Sequence, residues 1–537
     1  MQQLFAQHRW AQVVKLAEAM PSRSPDVDFE LGLAYARLGR WNDAHRAMLE
    51  GQRACPGQKR FAVELAGVAF ERKQYAAAAH WLRRALRLDP RDDYANNFLG
   101  TVYFLSGNLD AALRYWNRVN KPRIAALHFD PHLRVHRLLL DRAFAFSPAA
   151  VLREPQLTAT EARLQALGIF PSWSIHLNPR QNGAFDAVFR AQELDGFGAG
   201  RFQALLSTFS GLPYETIYPR YLNMRRSAVN FDSLLRWDSQ KRRLWLSLSA
   251  PSHELPQWRW GFAADLRDEN WAIRRSFTGV APVLGSLHLN REVAAASFTA
   301  FAGGRLRWSL GGELSHRTFG SVNYGSALTK SLLTPGFEIK QLASIDERLA
   351  NFPQLRFTLD AGASSELART ISTPSHICEK LRASALARWL PGIQGHAYEL
   401  TQRLRAGTIF GSSPFDELYM LGMDRDDTDL WMRGIVATRD GRKGSAPIGN
   451  GYFLSNSEFD RRLYSNGLIS LDAGPLLDIG RMSAPNSGLS TRQWLFDPGV
   501  EARVSVLHTT VVLSYGHDMT SGANAFYGMV AQPEVLP

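Results

Sequence analysis

From about residue 195 onward, apolar residues recur at every second position. Trp258, Trp260, Phe262, Ala264 and Leu266 alternate with Arg259, Gly261, Ala263, Asp265 and Arg267. Leu306, Trp308, Leu310, Gly312 and Leu314 alternate with Arg305, Arg307, Ser309, Gly311 and Glu313. Leu355, Phe357, Leu359 and Ala361 repeat the pattern, and Leu244, Leu246 and Leu248 follow a tight turn at Asp238–Lys241. Two is the side-chain period of a β-strand, so each stretch carries one apolar face and one face of Arg, Asp, Glu or Ser. Two architectures satisfy such strands. A soluble sandwich or propeller packs the apolar faces inward, whereas a membrane barrel turns them out to lipid around a polar lumen. Trp and Tyr near strand ends favour the barrel, as interface girdles. The stretch 195–537 is long enough for roughly sixteen strands of about 9–11 residues with their loops.

The 537-residue chain is too long for one core, so several domains are expected. Its 45% hydrophobic and 21% charged residues carry no disorder signature. No run reaches the ~18 apolar residues of a transmembrane helix, which leaves strands as the only membrane-spanning element open to it. The net charge of +12 would suit nucleic acid or anionic lipid, but the Arg residues are scattered along strand patterns without any nucleic-acid motif. No nucleic-acid partner is therefore expected. Cys55 and Cys378 are too few and too far apart for a disulfide framework or a cysteine zinc site. They read as buried small hydrophobes.

The first 125 residues are different. Leu31-Gly32, Leu65-Ala66 and Leu99-Gly100 recur at a spacing of 34. Counting on from Gly32 gives Tyr35, Ala44, Met48, Gly51 and Pro56; the same offsets from Ala66 give Ala69, Ala78, Leu82, Ala85 and Pro90. From Gly100 they give Tyr103, Ala112, Trp116 and Val119. Small residues stand where two helices approach, large ones where they interlock, and Pro follows the second helix. This resembles the tetratricopeptide repeat, in three registered copies over 1–125. Phe5 to Ala19 reads either as a capping helix or as the second helix of an earlier repeat. The Met1-Gln2-Gln3-Leu4 start is no signal peptide, so an upstream export signal is expected if the chain lies in an outer membrane.

Residues 131–193 mix both periods. Leu138 to Phe146 is apolar and strand-capable, Ser147-Pro148 opens a short helix, and Thr158 to Gly168 reads as a helix with Thr158 and Glu161 at capping-box spacing. Ser174 to Asn178 and Phe185 to Glu193 flank the turn Gln181-Asn182-Gly183. The order β-α-α-β-β, with Leu164-x-x-Leu167-Gly168-Ile169-Phe170, resembles a POTRA domain, the periplasmic module of outer-membrane assembly proteins. A generic small α+β domain has the same outline.

Within the β region, Arg433-Gly434 sits in a turn far from any helical pattern. A charge leaving bulk water there requires a hydrogen-bonded partner, and Asp472 on a downstream alternating strand is a candidate; an exposed loop arginine is the alternative. Met432-Arg433-Gly434-Ile435 resembles the (V/L)-R-G-(F/Y) motif of the superfamily of BamA, TamA and two-partner secretion transporters. Gly449-Asn450 with Asn456-Ser457-Glu458-Phe459 resembles the family's G-N-x-E strand, and Ser470-Leu471-Asp472-Ala473-Gly474 its strand motif ending D-x-G. Phe496-Asp497-Pro498-Gly499-Val500-Glu501 is an imperfect match to its G-x-G-x-R strand start. Ile435 departs from the usual aromatic, and the end Glu534-Val535-Leu536-Pro537 lacks the usual terminal aromatic.

The resemblance implies a loop folded back into a barrel lumen and locked there. Arg433 would pair bidentately with Asp472, Glu458 would join the network, and Gly434 and Gly474 would allow the backbone through. The implied architecture is a tetratricopeptide solenoid over 1–125, one POTRA-like domain over 131–193 and an outer-membrane β-barrel of about sixteen strands over 195–537. The implied function is insertion or translocation of client outer-membrane or secreted polypeptides without nucleotide. Its partners would be those clients, periplasmic accessory proteins on the repeats, and outer-membrane lipid.

Catalytic and metal motifs are not found in the sequence. His253-Glu254 lacks the second His of a zincin, and Gly196-x-Gly198-x-Gly200 precedes no βαβ unit. Asp424, Asp426, Asp427 and Asp429 lack the late Glu of a calcium loop and read as a solvated extracellular segment. No enzyme activity, cofactor or metal is expected. Two rival readings are a repeat-and-barrel exporter of polysaccharide or surface lipoprotein, and a soluble scaffold of repeats joined to a β-sandwich.

Overall fold

The computed structural model describes residues 1–274, 281–371, 375–393, 395, 397–466, 468–484, 489, 493–506 and 509–531. The terminal Glu534–Pro537 and its missing aromatic lie outside them. Eight helices come first: α1 (Gln2–Ala6), α2 (Trp10–Glu18), α3 (Pro25–Arg37), α4 (Trp41–Ala54), α5 (Lys59–Glu71), α6 (Tyr75–Leu88), α7 (Asp93–Leu105) and α8 (Leu109–Trp116). The 34-residue spacing yields three antiparallel pairs, α3/α4, α5/α6 and α7/α8. Their small residues stand where the pattern needs them. A Cβ on Gly32 would come within 2.7 Å of Met48, and one on Gly100 would overlap the Trp116 ring. Ser24, Asp92 and Asn108 cap α3, α7 and α8, each accepting from a backbone N–H three residues on. The helix expected over 5–19 is broken at His8, whose φ is 59°. α2 packs on the first pair through Val13, Val14 and Ala17, with Leu4 and Phe5 of α1 against the same cluster.

The α+β unit has the expected order but not the expected residues. It consists of β1 (Ile124–Asp130), α9 (Arg137–Ala143), α10 (Glu154–Leu167), β2 (Ser172–Pro179) and β3 (Phe185–Gln192). β3 lies between the other two strands, parallel to β1 and antiparallel to β2. The apolar run at Leu138 is therefore helix rather than strand, and the unit starts at 124 rather than 131. A short apolar run does not declare its period; here Leu139, Leu140 and Ala143 fall on one helical face and are all buried. Thr158 is inside α10 and donates to the Glu154 carbonyl instead of capping the helix. Gly168 ends it in the left-handed region, φ 68°.

The remaining strands form one antiparallel sheet rolled into a barrel-shaped wall. They are β4 (Thr216–Ile217), β5 (Arg220–Met224), β6 (Val229–Trp237), β7 (Lys241–Ser252), β8 (Leu255–Arg274), β9 (Val283–Ala302) and β10 (Leu306–Asn323). Then come β11 (Gly336–Phe352), β12 (Phe357–Ile371), β13 (Ile377–Trp389) and β14 (Tyr398–Gly411). A long loop holding the two-residue strands β15 (Tyr419–Met420), β16 (Thr438–Arg439), β17 (Arg442–Lys443) and β18 (Ile448–Gly449) separates β14 from β19 (Gly451–Ser465). The wall ends with β20 (Ile469–Ser483), β21 (Trp494–Val506), β22 (Thr509–His517) and β23 (Asn524–Ala531). Neighbouring strands pair in sequence order, and β14 pairs directly with β19 across the base of the loop. β4 and β5 both pair with β6 and make one interrupted strand.

Among the described residues the wall thus has fifteen strands, against the roughly sixteen expected from 195. The difference lies at its start, where Arg201–Phe209 forms a helix, α11. The wall's two ends meet at a seam, where the rings of Tyr214 and Tyr527 lie 6.1 Å apart.

Burial along the strands separates the two architectures. On β11, Phe337 and Ile345 are 50% and 47% exposed, while Glu338 and Lys340 are 1% and 3% exposed. On β10, Leu310 is 57% exposed and Arg317 1%. Apolar residues outside and charges inside invert a soluble sandwich and match a lipid-facing wall.

The repeats are fastened to one end of this wall. Asn108 donates to the Pro353 carbonyl at 2.8 Å, and Arg356 donates to the Gly107 carbonyl at 3.2 Å. Asn230 donates to the Leu167 carbonyl of α10 at 2.9 Å. At the same junction burial, together with the nearby Asp110 carboxylate, pushes the Glu161 carboxyl up to about 8, against the opposing pull of Arg348. Asp110 is raised by burial as well.

Two outcomes follow. Ile345→Arg should cost ~2–4 kcal/mol of folding free energy in phosphatidylcholine vesicles, read from urea titrations, because a charge would face lipid near mid-strand. A carboxyl raised in the fold binds protons that the unfolded chain releases, so the Glu161 contribution is lost as pH rises from about 4.5 to about 8. Thermal unfolding of the wild type should therefore shift downward over that window, and Glu161→Gln should flatten the dependence.

Candidate functional site: a charged loop inside the wall

The loop between β14 and β19 enters from the end opposite the repeats and packs into the lumen. Its apolar residues form a plug: Phe415, Leu421, Leu430, Met432 and Ile435 are buried against Trp271, Leu289, Leu454 and Met482 of the wall. Its charged residues are matched around the wall. Glu417 contacts Lys340 at 2.7 Å and Arg291 at 2.7 Å. Arg317, itself 1% exposed, is bidentate to Glu338 at 3.0 Å and reaches Glu417 at 3.3 Å. Charges this far from water persist only when paired, so loop and wall are electrostatically complementary by necessity.

Arg433 is the best-partnered of them. Met432 to Ile435 is a tight turn, closed by the Ile435 N–H donating to the Met432 carbonyl at 3.1 Å. The turn aims Arg433 at β20. Its Nε and Nη2 grip the two Asp478 oxygens at 2.9 and 2.6 Å, and its backbone N–H adds a third bond to the same carboxylate at 2.8 Å. Nη1 donates to Glu458 at 2.6 Å and to Glu501 at 3.1 Å. Asn456 donates to Asp478 at 2.6 Å and to the Trp431 carbonyl at 3.0 Å. Arg503 bonds Glu458 at 2.6 Å and Glu501 at 2.8 Å, so the three carboxylates share two cations.

The expected pair Arg433–Asp472 does not form. Asp472 faces the lumen from the same strand, but six residues before Asp478. At ~3.3 Å per residue that is about 20 Å out of reach. It pairs instead with Arg462 at 2.8 Å. The sequence holds two D-x-G motifs on this strand, Asp472-Ala473-Gly474 and Asp478-Ile479-Gly480, and the second is the partner. Gly480 marks it, because a Cβ there would overlap the Met432 sulfur. Gly474 takes no part in the lock; it makes room for the Phe459 carbonyl on β19. Glu458 stands in the network, as above.

Gly434 acts through space rather than through backbone angle, since its φ is not in the left-handed region. A Cβ there would sit 2.5 Å from the Asp518 nitrogen and 2.8 Å from Asp497 Cγ. Its N–H donates to Asp497 at 2.7 Å. Gly516 on β22 yields from the other side, where a Cβ would overlap the Arg433 carbonyl. Asp478, Asp497, Glu501 and Gly516 were not singled out as site residues; the Asp497-x-x-x-Glu501 spacing on one strand face was the available signal.

Within the acidic cluster Asp424 and Asp427 are buried rather than solvated, whereas the Asp429 side chain is 73% exposed, as expected of a solvated segment. Asp427 is bound by Arg243 at 3.1 Å and Arg236 at 3.1 Å, and Asp424 by Lys241 at 3.1 Å. Asp426 accepts from Arg236 and the Tyr218 hydroxyl, both at 2.8 Å. Asp429 pairs with Arg405 at 3.1 Å. Sequence reading missed this because the partners alternate along β6–β8, where they looked like ordinary polar-face residues. Between the loop and β8–β13 a cavity of about 640 Å³ remains, lined by Arg291, Lys340, Lys380, Glu417 and Asp427 among others.

Asp478 rather than Asp472 should dominate stability. Arg433→Gln leaves buried carboxylates short of a cation and should cost ~3–5 kcal/mol. Asp472→Asn, at a partly exposed pair, should cost within ~1 kcal/mol. Urea midpoints of the folded-to-unfolded gel-mobility shift measure both, and equal losses would refute the assignment.

The tetratricopeptide repeat family model matches residues 29–93 and 63–123. No curated protein matches the sequence. Three solved structures are similar in fold. BamA from Haemophilus ducreyi lacking POTRA domains 1–3 is 11% identical over 76% of this chain and 85% of its own, with a TM-score of 0.44. CdiB from Escherichia coli is 12% identical over 76% of each chain, TM-score 0.49. CdiB from Acinetobacter baumannii is 12% identical over 79% and 81%, TM-score 0.44. The chain carries tetratricopeptide repeats at its N-terminal end and, after them, a mostly-strand region similar to BamA and CdiB.

Proposed function

We propose that the chain is an outer-membrane factor that inserts or passes client polypeptides. The observation that carries this reading is the Arg433 turn gripped by Asp478 inside a wall whose apolar face points outward. A wall of this kind spans a bilayer without unsatisfied backbone groups only if it closes on itself. The described strands support closure, with the seam between β23 and β4/β5 as the joint. The loop blocks free leakage through the lumen while the wall stays in place.

The unit β1–β3 takes the role of a single POTRA domain, and the repeats lie in the periplasm above it. Its sheet order leaves β1 and β2 as edges, where an extended client can add as a further strand. The repeat surface holds client segments or accessory proteins. Strand exchange and loop movement are mechanical steps, so no nucleotide, cofactor or catalytic residue enters the cycle. The exporter of polysaccharide or surface lipoprotein is less well supported, because it calls for a lumen without an Arg433 lock and no POTRA-like unit. The soluble scaffold requires buried apolar strand faces, opposite to those of β10 and β11.

The test is insertion in purified form. Vesicles carrying the full-length protein should speed the folding of a urea-unfolded outer-membrane barrel, or its passage into the lumen as protease-protected chain, relative to empty vesicles. Equal rates for both kinds of client would refute the proposal.

A further inference from the structure

The loop touches both sides of the seam. On the first-strand side, Arg236 of β6 bonds Asp426 at 2.8 Å, Asp427 at 3.1 Å and Thr216 of β4 at 3.0 Å. Lys241 and Arg243 of β7 take Asp424 and Asp427. Arg425 stacks over Tyr214 and Tyr218, each 5.1 Å from the ring centroid, just before β4 and β5. On the last-strand side, Trp431 packs on Tyr527 at 5.1 Å, and Met423 is buried with Ala525 and Tyr527 of β23. Two residues further, Arg433 is held by β19–β21 and its carbonyl lies against Gly516 of β22.

Ten residues of loop, Asp424 to Arg433, therefore carry opposite charges to opposite sides of one joint. The acidic end meets a basic wall on β6–β8, and the basic end meets an acidic wall on β19–β21. We infer that Asp424–Arg433 is a strap across the seam, with the acidic cluster and Arg433 as its two clasps. Moving β4–β7 away from β21–β23 stretches this segment until one clasp lets go. The Asp424, Asp427 and Arg433 side chains are buried, so parting any of them from its partner before water enters leaves an uncompensated charge. Once water enters, its pairs weaken together, which makes release abrupt rather than gradual. The acidic cluster is thus a second lock on the loop, independent in sequence from Arg433 and tied to the other side of the joint. The inference rests on the proposed barrel with a movable seam, and adds what restrains that seam.

The test measures seam width directly in full-length protein with Cys55 and Cys378 replaced by Ser. Nitroxides at Leu235→Cys on β6 and Phe526→Cys on β23, both outward and exposed, report the seam by pulsed electron paramagnetic resonance in vesicles. A second labelled pair, Leu310→Cys and Leu367→Cys, reports the far wall. The parent should give one narrow seam distance. Asp424→Asn with Asp427→Asn should broaden it and lengthen it by at least one strand spacing, ~5 Å, and leave the far wall unchanged; Arg433→Gln should do the same from the other side. An unchanged seam, or an equal change in the far wall, overturns the strap. If the double variant fails to assemble, Asp426→Asn alone, which weakens the Arg236, Tyr218 and Arg425 contacts, should give a smaller widening, and no widening there overturns it too. A widened seam with no client insertion would leave the strap standing and remove the proposed function. Client insertion with an unchanged seam would do the reverse.

Discussion

The rest of the molecule depends on the need to neutralise charges that a wall with an outward apolar face forces inward. Once apolar side chains on alternate positions face out, the Arg, Lys, Asp and Glu between them face a confined lumen. An empty lumen would leave them to water. A loop packed among them removes that water, and each charge then requires a partner within hydrogen-bond reach. Arg433 with Asp478, Glu417 with Lys340 and Asp427 with Arg243 are the same solution at three places on the wall. The loop's charges are therefore matched to the strand alternation, although most of the loop lacks secondary structure.

This constraint explains what could be read from the sequence. Period-two alternation identified the strands, and the 34-residue spacing identified the helical pairs, because each is a local pattern. Arg433 was recognisable because a lone cation beside glycine in a β region needs a partner. Its partner was not, because Asp472 and Asp478 share a face and a D-x-G motif, and only three-dimensional register separates them by about 20 Å. The acidic cluster was misread for the complementary reason. Asp424, Asp426 and Asp427 look solvated until β6–β8 are brought beside them, some 180 residues away in sequence. At Leu138 the error was local: a short apolar run fits helix and strand equally well, and packing chose helix.

Glycines mark the places where loop and wall come closest. Gly434, Gly480 and Gly516 stand at successive contacts between the Arg433 turn and strands β20–β22, and any side chain at them would meet backbone or a buried sulfur. Ile435 fits the same geometry. It is buried in the apolar plug rather than reaching the wall as an aromatic would, which leaves the charged network to orient the turn. Shape and charge are thus divided between neighbouring residues, with Gly434 providing close approach and Arg433 providing direction.

The joints between modules differ in chemistry, one being apolar and the other mixed. The last repeat pair and the α+β unit share one hydrophobic core: Leu99, Leu113 and Trp116 are continuous with Leu139, Leu164 and Phe189, and Trp116 meets Phe185 at 5.4 Å. A continuous apolar core resists shear because sliding exposes surface to water. This body meets the barrel rim both through Ala228, which belongs to the same core, and through Asn108, Asn230, Arg259 and Arg356, which donate to backbone carbonyls. Asn108 and Asn230 are buried there, so breaking these bonds without admitting water would leave polar groups unsatisfied. The last repeat pair and the α+β unit therefore form one continuous body, and its junction with the rim is buried, as the raised Glu161 carboxyl requires.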